Sequence, residues 1–167
     1  VWAAHFQDAC AAFGMETAMM KMVLEPEMFR VVINRILDFY LEANEIFYEA
    51  TKGKLHAVLI GNDLGSQESL MLSRDLIVDL VLPGTKKLVE QAHRYGLKVI
   101  HHSCGAIRPI IRDLIETGVD AVHPIQALAK GMDPASLKEE FGNDVAFCGG
   151  VDAQYLLVKG KPEEVSA

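Results

Sequence analysis

The sequence predicts a parallel α/β protein, and three observations carry that prediction. From residue 55 onward, short apolar runs alternate with helical stretches, which is the order of βαβ units. The runs are apolar throughout, as expected for strands covered on both faces. Each run ends abruptly in a polar loop, and glycines recur among these loops, as at the carboxyl ends of parallel strands that carry chemistry. Four strands are expected. A closed eight-stranded α/β barrel needs ~250 residues, so 167 residues suit a small open sheet or about half a barrel. The whole chain, 1–167, reads as one domain.

The elements follow in order. Residues 3–23 look helical, with an interruption at Gly14. Pro26 to Glu49 reads as a long amphipathic helix, because Phe29, Ile33, Ile36/Leu37, Tyr40 and Phe47 keep helical spacing. Pro26 opens that helix and Gly53 follows its end. "HAVLI" (56–60) is the first strand. Ser73 is the N-cap of a further helical stretch, with Asp75 close behind. Pro83 divides that stretch, and it closes at Gly96. "LKVIHH" (97–102) is the second strand. A helix from about Ile107 to Thr117 ends at Gly118, and "VDAVHP" (119–124) is the third strand. Asp133-Pro134 starts a helix that ends near Gly142. "DVAFCGG" (144–150) is the fourth strand, and Pro162 begins the next helix. Internal repeats and low-complexity segments are absent.

Composition narrows the function. Half the residues are hydrophobic and the formal charge is -7, a globular composition. The acidic balance argues against nucleic acid, which wants clustered Lys and Arg. No apolar stretch approaches the ~18–20 residues of a membrane span, and no leader pattern opens the chain. A cytoplasmic location without a membrane partner is expected. Cys10, Cys104 and Cys148 are odd in number and unrelated in spacing, which suits a reducing compartment. The chain starts on Val, and it stops just as Pro162 opens a helix. It reads as cut at both ends.

The four strand exits are "GNDLGSQ", "HHSCG", "HPIQ" and "GGVDAQ", and all should share one rim. Asp63 and Asp152 are carboxylates that could orient a ligand or simply form turns. Gln126 could bind substrate or loop backbone. Gly149 and Gly150 would let a substrate approach the chain closely. His123 precedes Pro124 and is read as a core histidine. His5, Cys10 and His93 are read as structural, and Met15, Met19, Met20 and Met22 as gap-filling core.

"VIHHSCG" (99–105) is the most pointed of these exits. His102 and Cys104 lie two apart at a strand terminus, so in extended backbone both side chains project to one side. Imidazole and thiolate are preferred zinc ligands. Two ligands do not hold a metal, and a zinc site open to substrate needs three. Cys148 is the only further cysteine near the rim. The pair therefore reads either as part of a metal site or as a buried cysteine beside a turn-forming histidine.

The stretches "HHSCGAIRPIIRDLIETGVDAVHPIQ" and "LKEEFGNDVAFCGGVDAQYLLVKGKPEEV" resemble the uroporphyrinogen decarboxylase superfamily. "GNDLGSQESLMLSRDLIVDLVLPGTKKLVEQAH" is similar to the segment that precedes those motifs. The resemblance looks closest to the branch of corrinoid- and coenzyme M-linked methyltransferases, and it covers nearly the whole chain from about Gly14. It implies a (β/α)8 barrel, of which this chain resembles the C-terminal half without the last strand. It also implies zinc, held by a His-x-Cys pair that His102 and Cys104 match, and a corrinoid-type methyl donor, free or on a protein. The branch's third zinc ligand is a cysteine near the chain's end, which would lie beyond Ala167. Cys148 lies in the "GGVD" strand, where that ligand does not come from. Asp63 and Asp152 would orient ligands or substrate as catalytic residues, with Gln126, Gly149 and Gly150 against the substrate. Decarboxylases proper instead bind an acidic tetrapyrrole without metal, using arginines and an aspartate of the N-terminal half. A metal-free lyase of porphyrin biosynthesis, and a non-catalytic fragment, are the alternatives.

Three expectations follow for the chain as it stands. It is inactive alone. It associates, with a second copy or with the missing barrel half. It binds zinc only weakly through His102 and Cys104, unless Cys148 faces the barrel interior.

Overall fold

The structure is a computed structural model and describes residues 3–165. Three helices come first: α1 (His5–Phe13), α2 (Met15–Leu24) and α3 (Pro26–Ala50). Gly14 separates α1 from α2 at φ 80°, and Pro26 opens α3 at its first turn, where its missing N–H leaves no bond unmade. The four strands are β1 (Ala57–Gly61), β2 (Lys98–His102), β3 (Ala121–Ile125) and β4 (Ala146–Gly149). Between them lie α4 (Arg74–Leu76), α5 (Leu82–Arg94), α6 (Ile111–Glu116) and α7 (Pro134–Phe141), and α8 (Leu156–Lys159) and α9 (Pro162–Val165) follow β4.

All strand pairings are parallel, and the sheet order is β1-β2-β3-β4. A doubly wound sheet reverses its order at a switch point. This sheet never reverses, which is the progression of a barrel wall, and four βα steps make a partial TIM-type barrel. Ala3 adds a parallel bridge to Ile60 on the free side of β1.

One expectation about the strands is corrected. Val58, Ile60, Val99, His101 and Val122 are buried, whereas Leu59 is 38% exposed and Ile100, Ala121 and His123 are only partly covered. The sheet is packed on one face and open on the other. In a barrel wall the helices all lie outside, and the second face belongs to the lumen. An apolar lumen face therefore produces the same continuous apolar run as a strand sandwiched between helix layers.

The core runs from Phe6, Met22, Phe29 and Ile33 through Ile77, Val81 and Leu88 to Ile110, Leu114 and Leu137. His5 and Cys10 are buried in it, as expected. Burial is the main force that lowers the His5 pKa to about 4, against an opposing hydrogen bond to the Val81 carbonyl. Burial pushes the Cys10 thiol up to about 11. His93 is a surface group whose Nε2 lies 2.8 Å from Asp120 Oδ2.

The stretch after Ser73 shows how one proline is accommodated. Ser73 caps α4 by accepting from the Leu76 N–H at 3.3 Å. Pro83 divides the stretch as expected, though the helical path continues through it: a π-helical turn, Ile77–Val81, separates α4 from α5, and Pro83 sits in the first turn of α5. A proline leaves the carbonyl four residues back without its donor. That carbonyl, of Asp79, accepts from Arg30 Nη1 of α3 at 3.1 Å. The same helix is tied to the next unit by Arg74, which grips Asp113 with two nitrogens. Pro109 starts the following stretch as a 3-10 turn, Arg108–Ile110, before α6. Asp133 caps α7 through the Ser136 N–H at 2.8 Å. Among the described residues, no helix is long and apolar enough to cross a membrane.

Candidate metal centre

The carboxyl ends of β1 and β2 are held together by backbone packed on backbone. Asn62 N–H donates to the His102 carbonyl at 3.0 Å, and Ala106 N–H to the Ser66 carbonyl at 2.7 Å. Ser103 Oγ accepts from the Leu64 N–H at 3.0 Å. Gly105 sits at φ 85° in this contact, and a Cβ there would lie 2.4 Å from the Gly65 carbonyl carbon. Only glycine fits both the conformation and the space. The exit of β1 also anchors α1, because Asn62 Oδ1 accepts from the Phe6 N–H at 2.9 Å.

This packing brings Asp63, His102 and Cys104 together. Their ligand atoms all lie within 4.8 Å of one another. His102 Nε2 is 3.2 Å from Asp63 Oδ1 and 3.6 Å from Cys104 Sγ. Asp63 Oδ1 also accepts from the Cys104 N–H at 2.9 Å, and Gln7 Nε2 reaches Oδ2 at 3.4 Å. Nitrogen, oxygen and sulfur ligands ~2.0–2.3 Å from a tetrahedral zinc stand about 3.3–3.8 Å apart. The 3.2 and 3.6 Å separations fall at or close to that range, and the third pair lies within 4.8 Å. The donor types match too, since imidazole, thiolate and carboxylate are all zinc ligands, and three protein donors are the number an open zinc site uses. Burial and then the Asp63 carboxylate push the Cys104 pKa up to about 11. Without a cation the sulfur is a thiol, and a neighbouring cation would favour its thiolate.

The other predicted residues divide. Gln126 Oε1 accepts from the Gly105 N–H at 2.8 Å and from Gln67 Nε2 at 3.1 Å, so it clamps the loop that carries Cys104. Gln126, Gly149, Gly150 and Asp152 line a cavity of ≈ 170 Å³ beside this clamp. Gly149 is needed for packing, since a Cβ there would lie 2.8 Å from the Ile125 nitrogen, while Gly150 faces open space. Asp152 accepts from the N–H groups of Gln154, Tyr155 and Leu156 at 2.8–3.1 Å. It thus forms the turn into α8. Partial burial raises its pKa, and those three donors outweigh burial to leave it below the ordinary carboxylate value.

Cys148 is exposed on β4 and stands outside the three-donor group. Its neighbour Phe147 is partly buried against the core and lines a cavity with Pro134 and Leu137 of α7, so Cys148 faces the open side. The third donor beside His102 and Cys104 is the Asp63 carboxylate.

His123 is not the core histidine expected from its place before Pro124. It is partly exposed, and its Nδ1 lies 3.0 Å from His102 Nδ1. The pairing of β2 with β3 puts His102 level with His123 on the lumen side. Burial, then the neighbouring His102, hold the His123 pKa below the ordinary imidazole value. The signal was in the sequence: "VIHH" and "DAVH", aligned by their strand ends, place the two histidines side by side.

No curated protein and no solved structure matches the chain significantly. The model of the family described as uroporphyrinogen decarboxylase (URO-D) matches residues 3–167. A parallel barrel wall with its polar residues gathered at the strand ends fits that match, and the chain belongs to the uroporphyrinogen decarboxylase family.

Proposed function

We propose that this chain is the metal-bearing part of a zinc-dependent methyltransferase, in which a small thiol accepts a methyl group from a corrinoid-type donor. The observation that carries the reading is the convergence of the Asp63, His102 and Cys104 ligand atoms within 4.8 Å of one another, with His102 Nε2 3.2 Å from the carboxylate and 3.6 Å from the sulfur. A zinc ion there would supply the positive charge that turns an incoming thiol into a thiolate at neutral pH. The chain's own residues do the rest. His102, Cys104 and Asp63 would hold the ion, and the thiol would take a coordination position that these three do not fill. The Cys104 N–H and Gln7 fix the Asp63 carboxylate. Gln126 keeps the Cys104 loop in place and joins it to the neighbouring cavity. That cavity, with Gly150 and Asp152 on its wall, would take the body of the substrate.

A metal-free decarboxylase ranks second. A metal-free reaction would leave the convergence of Asp63, His102 and Cys104 without a use. The test uses cobalt(II) in place of zinc. Wild-type protein is expected to show a Cys104 thiolate-to-cobalt absorption that grows when a small thiol is added. The band should be absent in Cys104→Ser. A chain that takes up no cobalt, or whose spectrum ignores the thiol, contradicts the proposal and puts the lyase first.

A further inference from the structure

His123 lies outside the three-donor group but pairs with one of its members, His102. His102 turns Nε2 toward Asp63 and Cys104 and turns Nδ1 toward His123. A neutral imidazole carries one proton, on one nitrogen or the other. To offer a lone pair at Nε2, His102 must carry its proton on Nδ1. That proton needs an acceptor, and at 3.0 Å His123 Nδ1 is in place to be one. The acceptor lone pair exists on His123 when its own proton sits on Nε2. In the opposite arrangement, His123 Nδ1–H donates to His102, and His102 Nε2–H points at Asp63 in the space a metal would take.

We propose that His123 is a positioning residue for the metal centre: it accepts the His102 Nδ1–H and so holds Nε2 unprotonated and aimed between Asp63 and Cys104. This rests on the zinc reading above. His123 touches neither the ion nor the thiol. It acts on the orientation of the ring and on which nitrogen bears the proton, a role for which metal-bound histidines generally recruit a second group. His123 is well placed for it. It lies on the adjacent strand, in register with His102, and its backbone is fixed as well, since its carbonyl accepts from the Ser103 N–H at 2.8 Å.

The test compares zinc affinity, by competition with a chelating dye, in wild type, His123→Leu and His123→Asn. Leucine keeps bulk without an acceptor, and asparagine places Oδ1 near the position of His123 Nδ1. The inference predicts that His123→Leu binds zinc ~10–100-fold more weakly. His123→Asn should recover most of the loss, and the metal-free melting temperatures should agree. A second measurement needs only wild type: the ¹⁵N spectrum of the zinc-loaded protein should show His102 protonated at Nδ1. Equal zinc affinity in all three proteins would overturn the role of His123 while leaving the zinc site standing. Equal weakening in both variants, or a zinc-bound Nδ1 at His102, would also overturn it. Wild type that binds no zinc would overturn the metal reading itself, and this inference with it.

Discussion

Cys104 and Asp63 oppose each other as long as no cation stands between them. The carboxylate accepts from the Cys104 N–H yet disfavours a thiolate at the same residue. A divalent ion reverses the sign of that interaction, so the two side chains should matter little to the metal-free fold and greatly to the metal. Asp63→Asn keeps size and an acceptor for the Cys104 N–H but removes the charge. It is expected to weaken zinc binding at least tenfold in a chelator competition and to leave the metal-free unfolding midpoint nearly unchanged. His5 gives a second residue-scale prediction, on stability. Its folded pKa is about 4, below the ordinary 6.5, so on acidification the unfolded chain takes the proton first. The stability from keeping His5 neutral is complete above about pH 6.5 and is lost as the pH falls toward 4. The loss amounts to about 3 kcal/mol at most. Urea unfolding at stepped pH should show that slope, and it should flatten in His5→Gln.

At the scale of elements, the site depends on two loops that touch through backbone. Gly105→Ala places a methyl group against the Gly65 backbone in a left-handed conformation. The backbone strain alone is worth about 1–3 kcal/mol. The variant should lower the urea midpoint and loosen zinc binding together. Asp133→Ala, which removes the α7 cap, should cost about 1 kcal/mol without touching zinc affinity. Most elements were legible in the sequence because their signals are local. Ser73 and Asp133 are caps, Pro26 and Pro162 are helix starts, and Gly14, Gly96 and Gly118 are stops. Pro83 marked the division of its stretch, but not its form, a π turn with Arg30 of a distant helix bonded to the Asp79 carbonyl. His102 and Cys104 were legible as a pair from their spacing. Asp63 as a third donor was not, since the packing of Gly65 on Gly105 is what brings it to Cys104, 41 residues away in the chain. His123 was read as core because strand register, not local sequence, puts it beside His102.

At the scale of the whole molecule, the four strands present a face that the described residues leave open, with Leu59 at 38% exposure and Cys148 exposed. Strand edges and uncovered apolar surface invite pairing. Light scattering across a concentration series is expected to show association, and Leu59→Lys should reduce it. A monomer at every concentration would contradict this. What Asp63, His102 and Cys104 hold is tested most directly by zinc content from elemental analysis, on protein purified without chelators, for wild type, Cys104→Ser, Asp63→Asn and Cys148→Ser. About one zinc per chain is expected in wild type and in Cys148→Ser, with the metal lost in Cys104→Ser and sharply reduced in Asp63→Asn. Wild type without zinc, or zinc that survives Asp63→Asn and disappears in Cys148→Ser, would contradict the zinc reading.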